Sequence, residues 1–194
     1  MSRLHTSFVL AYHGCDQKIG EKILSGKATF EKSEEDYDWL GPGVYFWESD
    51  PQRAKEWAED KKRRGVLKKP FVIGAAIDLG HCLDLMSRED LSLLKKAYDS
   101  LSEIHEKDSE LGPLPTNSGG DDKFMRRLDC AVIKRLHYII AGNENLQPYD
   151  TVRGLFTEGK PLFPGSGFQE RSHVQIAVCN FDSIKGVFRV KLSS

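Results

Sequence analysis

The chain has no CxxC pair and no Cys/His spacing of a metal site. Its four cysteines, Cys15, Cys82, Cys130 and Cys179, stand singly in apolar or mixed runs. That usage argues against a disulfide framework or a zinc ribbon and leaves reduced, structural thiols. No GxGxxG fingerprint occurs, so a Rossmann dinucleotide site is not expected. No run approaches the roughly eighteen apolar residues of a membrane helix. The opening MSRLHTSFVLAYHG lacks an apolar stretch ending at a small-residue cleavage site, so the expectation is a cytoplasmic protein with no membrane partner. Charge of one sign is not in excess either: 28 Lys and Arg against 29 Asp and Glu give a formal −1. Such a balance does not make an obvious non-specific nucleic-acid binder, although local patches can still act. What remains is an ordinary globular composition, 39% hydrophobic and 29% charged over 194 residues. It suits one domain, 1–194, with room for a core.

Patterning places the elements. Residues 7–13 (SFVLAYH) predict a strand, and 16–25 a helix with Ile19, Ile23 and Leu24 at helical spacing and Gly26 as a stop. Residues 27–41, polar and acidic, predict a loop. Residues 43–47 (GVYFW) predict a short strand. Asp50 as N-cap with Pro51 behind it opens a helix through Ala54, Trp57 and Ala58, which ends in KKRRG. The apolar run 71–79 (FVIGAAIDL) predicts a central strand. Ser87 and Asp90 read as a capping box for a helix over 91–106 with a stripe of Leu91, Leu94, Tyr98 and Leu101. Residues 107–122 are rich in turn formers. Residues 123–140 predict a third long helix with Phe124, Leu128, Val132, Leu136 and Ile139 on one face. Residues 141–170 carry little regular signal, and strands are expected at 172–179 and 185–191. Strands followed by helices and then strands again give an α+β class rather than a wound parallel sheet.

Three short segments carry chemistry when they are read together. The first is Tyr12-His13-Gly14 at the end of the first strand. The second is Gly41-Pro42-Gly43-Val44-Tyr45-Phe46-Trp47, followed by Asp50-Pro51-Gln52-Arg53-Ala54. The third is Ser172-His173-Val174-Gln175-Ile176-Ala177-Val178-Cys179-Asn180, with Ile184 a few residues on. Taken singly, each has a plain structural explanation: a satisfied histidine, a turn feeding a strand, a polar residue on a half-buried strand.

Together, and in this order, they resemble the H-Y-E branch of the ADP-ribosyltransferases, shared by diphtheria toxin and the poly(ADP-ribose) polymerases. In that branch a His-Gly ends the first strand, a G-x-G-[IV]-Y-F segment leads into a helix, and a Glu begins a late strand. The resemblance is carried by residues 7–14, 41–58 and 165–188; residues 80–160 do not align with it. It implies a split β-sheet with flanking helices, NAD⁺ as a substrate held in the sheet's cleft, and no metal.

The reaction explains the residue types. Breaking the nicotinamide–ribose bond develops oxocarbenium character on the ribose, as glycoside cleavage does. The site must hold the ribose and release the nicotinamide. By resemblance, Gly14 offers backbone groups to the nicotinamide amide, and His13 bonds the adenosine-side ribose, with one ring nitrogen donating and the other accepting. Tyr45 stacks on the nicotinamide, and Gly41 and Gly43 let the backbone turn close to the ligand.

The departure is Gln175, where the family has Glu. An amide can accept from a ribose hydroxyl, but it cannot carry charge beside an oxocarbenium or remove a proton. Chain elongation is therefore in doubt, while single transfer stays plausible if another base serves. Glu170 is the first candidate and His173, on the strand face of Gln175, the second. Arg53 and Arg153 are candidates for the pyrophosphate, which a bidentate Arg suits. The basic residues Lys61, Lys62, Arg63 and Arg64, with Lys68 and Lys69, and Lys123, Arg127 and Lys134 on the third helix, are either solvated faces or nucleic-acid contacts.

The resemblance implies a mono-ADP-ribosyltransferase that modifies a protein or nucleic acid. Family analogy extends this to a toxin of a toxin–antitoxin or anti-phage system with an antitoxin protein as partner. The rivals are a degenerate NAD⁺- or ADP-ribose-binding module, an NAD⁺ glycohydrolase, and a plain α+β interaction domain.

Overall fold

A computed structural model describes residues 8–191. In chain order the elements are β1 (Phe8–Asp16), α1 (Gln17–Leu24), β2 (Val44–Glu48), α2 (Pro51–Arg63), β3 (Pro70–Asp78), β4 (Cys82–Asp84) and α3 (Arg88–Lys107). They continue with β5 (Asn117–Ser118), β6 (Met125–Arg126), α4 (Arg127–Ala141), β7 (Thr151–Phe156), β8 (His173–Val178) and β9 (Ile184–Arg189). The class is α+β. Seven strands form one sheet in the order β4-β7-β8-β2-β1-β3-β9, and β5 pairs with β6 apart from it. Among the described residues only β4 and β7 run parallel; the other strand pairings are antiparallel.

Strand alternation sorts the core into two faces. Ala11, Val44, Phe46, Ile73, Ala75, Ile77, Ile176 and Val178 share one, under Ile23 of α1 and Phe30. Phe46, fully buried there, removes enough apolar surface to stabilise the fold by roughly 2–3 kcal/mol. The other face carries Val152 and Ala177 against α3 and α4, and Trp47 and Val72 against Ala54 of α2. Asp50 caps α2 by accepting from the Arg53 amide at 2.8 Å, with Pro51 at the first turn. These residues place α2, and Arg53 with it, beside the strand that carries Tyr45.

Several sequence expectations are corrected. The first strand runs three residues past His13, because residues up to Asp16 keep their register with β3. Ser7, its expected start, lies outside the described residues. The capping box is only half made. Ser87 accepts from the Glu89 amide at 3.2 Å, but the Asp90 carboxylate accepts from the Asp84 amide at 2.8 Å rather than reaching back to Ser87. Leu91, expected in the stripe, is exposed, and Ala97 is the buried residue. The third long helix starts at Arg127, not at 123. Lys123 has φ +48°, and Met125–Arg126 pair with Asn117–Ser118, so the hairpin takes residues the helical pattern had claimed. That moves Lys123 off the expected basic face, and Arg127 bonds Asp36 at 2.8 Å. The buried face of α4 is Val132, Ile133, Leu136 and Ile140, with Ile139 turned outward. β4 and β7 had no sequence counterpart.

Candidate functional site

β1 and β2 pair at only two positions, Ala11↔Glu48 and Tyr12↔Trp47. Beyond them the strands part: β1 stays with β3 to Pro70, and β2 with β8 to Val178. His13 stands at the parting. Its ring packs against Phe30 and Phe46, and its Nδ1 lies 2.8 Å from the Tyr45 carbonyl on the far strand. A carbonyl only accepts, so Nδ1 carries the proton and Nε2 the lone pair. Burial pushes the imidazole below its ordinary range, opposed by this bond, and so favours the neutral ring.

A cavity of about 320 Å³ opens here, within the size range of small-molecule sites. Of the residues singled out in the sequence, His13, Gly43, Tyr45, Arg53, His173 and Gln175 line it. Gly14, Gly41, Arg153 and Glu170 are not part of its wall. A Cβ on Gly14 would sit 2.4 Å from the Ala54 carbonyl oxygen, so this glycine admits the backbone of α2. Gly41 has φ +76°, a conformation glycine adopts without strain. Arg153 lies on the opposite face of the sheet, paired across from Ile176. Glu170 is exposed.

Tyr45 is fixed through its hydroxyl, which donates to the Gly41 carbonyl at 2.8 Å and accepts from the Leu40 amide at 3.0 Å. Burial raises its phenol well above the ordinary value. The hydroxyl is thus committed to the loop before β2, and the ring is what remains for a ligand.

Gln175 is held from both sides. Its Oε1 accepts from the Trp39 indole at 2.7 Å, and its Nε2 lies 3.0 Å from His173 Nε2. His173 Nδ1 donates to the Arg171 carbonyl at 2.7 Å, and Phe156 stacks on the ring at 5.5 Å.

Behind His173 is a carboxylate that sequence reasoning missed. Glu158 is 1% exposed and is gripped by Arg53, whose Nε donates at 3.2 Å and Nη2 at 2.7 and 3.0 Å. Arg171 adds a contact at 3.3 Å, and His173 Nδ1 stands 3.7 Å away. Glu158 sits in an unpatterned TEGK stretch, and its partner is 105 residues distant; no local signal could have found it. Two buried donors in the wall, Arg53 Nη1 and Trp47 Nε1, have no partner. The acidic loop contributes Glu31, Glu35 and Asp38, the hairpin before α4 contributes Phe124, and Lys61, with Arg53 and Glu158, completes the charged part of the wall. Among the described residues no group of three or more His, Cys, Asp or Glu is placed to hold a metal ion. No helix among them is long and apolar enough to cross a membrane.

No family model matches the chain, and no solved structure matches it. Over 67 residues, 34% of its length, it is 39% identical to an uncharacterized protein of Methanocaldococcus jannaschii, and the match spans 31% of that relative.

Proposed function

We propose that the chain is an NAD⁺-dependent mono-ADP-ribosyltransferase whose substrate enters where β1 and β2 part. The observation that carries the reading is the convergence of His13, Tyr45 and Gln175, far apart in sequence, on one cavity wall. The parting of β1 from β2 supports the split sheet that the resemblance implies. The chemistry of the lining agrees with NAD⁺. Trp39, Trp47, Tyr45 and Phe156 supply apolar ring surface, and Glu31, Glu35 and Asp38 supply negative charge. Together they suit a cationic pyridinium, which aromatic faces and carboxylates both attract. Arg53 and Lys61 are the wall's arginine and lysine for the pyrophosphate.

In this reading Tyr45 offers its ring to the nicotinamide, and His13 Nε2 accepts from a ribose hydroxyl. Gln175 fixes the sugar whose C1′ loses nicotinamide. The C1′–N bond breaks with its electron pair going to the pyridinium nitrogen, and the acceptor's lone pair forms the new bond. Gln175 cannot take the acceptor's proton, so the acceptor is a nucleophile that sheds it to another base or to water. Glu170, outside the wall, keeps a role only if the acceptor itself brings it near.

The test is incubation of the purified protein with labelled NAD⁺ and a whole-cell lysate, halved between protease and nuclease. Label that survives protease but not nuclease identifies a nucleic-acid acceptor, and the reverse a protein. NAD⁺ consumed without label on either gives the glycohydrolase. NAD⁺ left intact in both halves overturns the proposal and leaves a binding module.

A further inference from the structure

Gln175 is not a free amide standing in for a carboxylate; its polarity is set by its neighbours. An indole N–H only donates, so the atom 2.7 Å from Trp39 Nε1 is the carbonyl oxygen of Gln175. The amide nitrogen then faces His173, at 3.0 Å from Nε2. An amide N–H also only donates, so His173 Nε2 presents a lone pair. Its proton is on Nδ1, where the Arg171 carbonyl accepts it at 2.7 Å and the Glu158 carboxylate stands at 3.7 Å. The chain of donation runs one way: Trp39 to Gln175 to His173 to the Arg171 carbonyl. Reversing any member breaks a neighbour.

We propose that Trp39 and His173 are positioning residues that lock the Gln175 amide in one orientation, so that with an amide at position 175 the site works only when His173 is neutral. The inference rests on the reading that Gln175 meets the substrate. With one amide N–H and one lone pair used internally, the amide offers the ligand one donor and one acceptor, a match for a hydroxyl group that does both.

Burial is the leading influence on the state of His173. Burial opposes the imidazolium most strongly, the bond to the Arg171 carbonyl favours it, Arg53 opposes it, and Glu158 and Asp50 favour it. The net direction is down, which keeps the ring neutral near neutral pH. A carboxylate at position 175 would reverse this. It would accept from Trp39 as the amide does, but its second oxygen would face the lone pair of His173 Nε2. The repulsion is relieved only when that nitrogen is protonated.

The experiment uses the full chain with ¹⁵N-labelled histidine. Near neutral pH and without NAD⁺, His173 is expected as the Nδ1–H tautomer; an Nε2–H tautomer or an imidazolium overturns the proposal. In Gln175→Glu the titration of His173 is expected to move up by about 1–3 pH units, the reach of a single adjacent charge; an unchanged titration overturns it. Turnover of NAD⁺ supplies a signature that a merely structural role would not produce. Wild-type turnover should fall as pH drops through the His173 titration, and Gln175→Glu turnover should fall as pH rises through its own. Limbs of the same direction in both proteins overturn the proposal. The tautomer and titration are read without NAD⁺, so absence of turnover in both proteins counts against the transferase reading, while those two measurements still decide the positioning.

Discussion

Two arginines, Arg53 and Arg153, hold carboxylates across the same sheet from opposite faces, and they differ in how many of their donors are left unused. Arg153 donates to both oxygens of Glu48, at 2.6 and 2.9 Å, and to Asp84 at 3.0 Å, so Nε, Nη1 and Nη2 are all engaged. It ties β7 to β2 and β4. Arg53 grips Glu158 with Nε and Nη2 and leaves Nη1 buried without a partner, in a cavity wall beside another orphaned donor, Trp47 Nε1. In the sequence both arginines are equally good phosphate candidates, since residue type alone says nothing about spare donors. A buried donor without an acceptor costs free energy; under the proposed function, that acceptor at Arg53 comes from the ligand.

The comparison can be broken most sharply at the buried pair. Arg53→Ala leaves Glu158 uncompensated in the interior and is expected to destabilise by about 3–5 kcal/mol, read as a fall in the denaturant midpoint. The double variant Arg53→Met, Glu158→Gln removes both charges. It should recover most of that loss yet bind NAD⁺ poorly by calorimetry. Undiminished NAD⁺ affinity in the folded double variant would put Arg53 with Arg153 as a clamp. Arg153→Ala should cost less, about 1–3 kcal/mol, because its carboxylates are partly solvated. It should leave NAD⁺ affinity unchanged; a weakened affinity would place ligand on the other face. Tyr45→Phe removes the bonds to Leu40 and Gly41 and should cost about 1–2 kcal/mol while keeping NAD⁺ affinity. Tyr45→Ala should lose that affinity if ring stacking is the role.

Acidification probes the histidines. His13, His137 and His173 all lie below the ordinary value of 6.5, in each case with burial as the leading cause. Above 6.5 such a group is neutral in both the folded and unfolded chain and costs nothing. As pH falls below 6.5 the unfolded chain takes up protons the folded chain resists, and stability declines until the folded values are passed. The melting temperature should therefore drop between neutrality and the folded titrations. Replacing His173 with Gln should flatten part of that slope, and an unaltered slope would remove His173 from the linkage. The smallest effect is expected at Glu170: Glu170→Gln should move stability by no more than about 0.5 kcal/mol, as for exposed sites, and leave NAD⁺ cleavage intact.

Much of the scaffold around the site could be read from the sequence because its signals are local. Asp50-Pro51 marks the start of α2, the alternation in VYFWE marks β2, and the apolar run 71–79 marks β3. The parts that escaped are those fixed by distant partners. β7 is edged by a three-residue parallel strand that no periodicity reveals. Phe124 fits a helical stripe, yet the pairing of Met125–Arg126 with Asn117–Ser118 takes it into the cavity wall. Residues 13, 45 and 175 were legible as candidates through their surrounding motifs. The network that gives Gln175 its meaning was not, because Trp39 is 136 residues away and Glu158 belongs to no motif.

The position of β8 between β2 and β7 has a consequence for how the protein comes into being. Synthesis runs from the N-terminus, so most of the cavity wall exists before its last members, His173 and Gln175, have left the ribosome. Until β8 inserts, β2 and β7 expose unpaired edges and the wall around Tyr45 is open to water. Insertion closes pairings with residues more than 100 positions earlier, such as Trp47 with Gln175, and contacts of that span are slow to form. The cavity wall thus stays open until β8 has joined the sheet, and it closes together with the completed pairings.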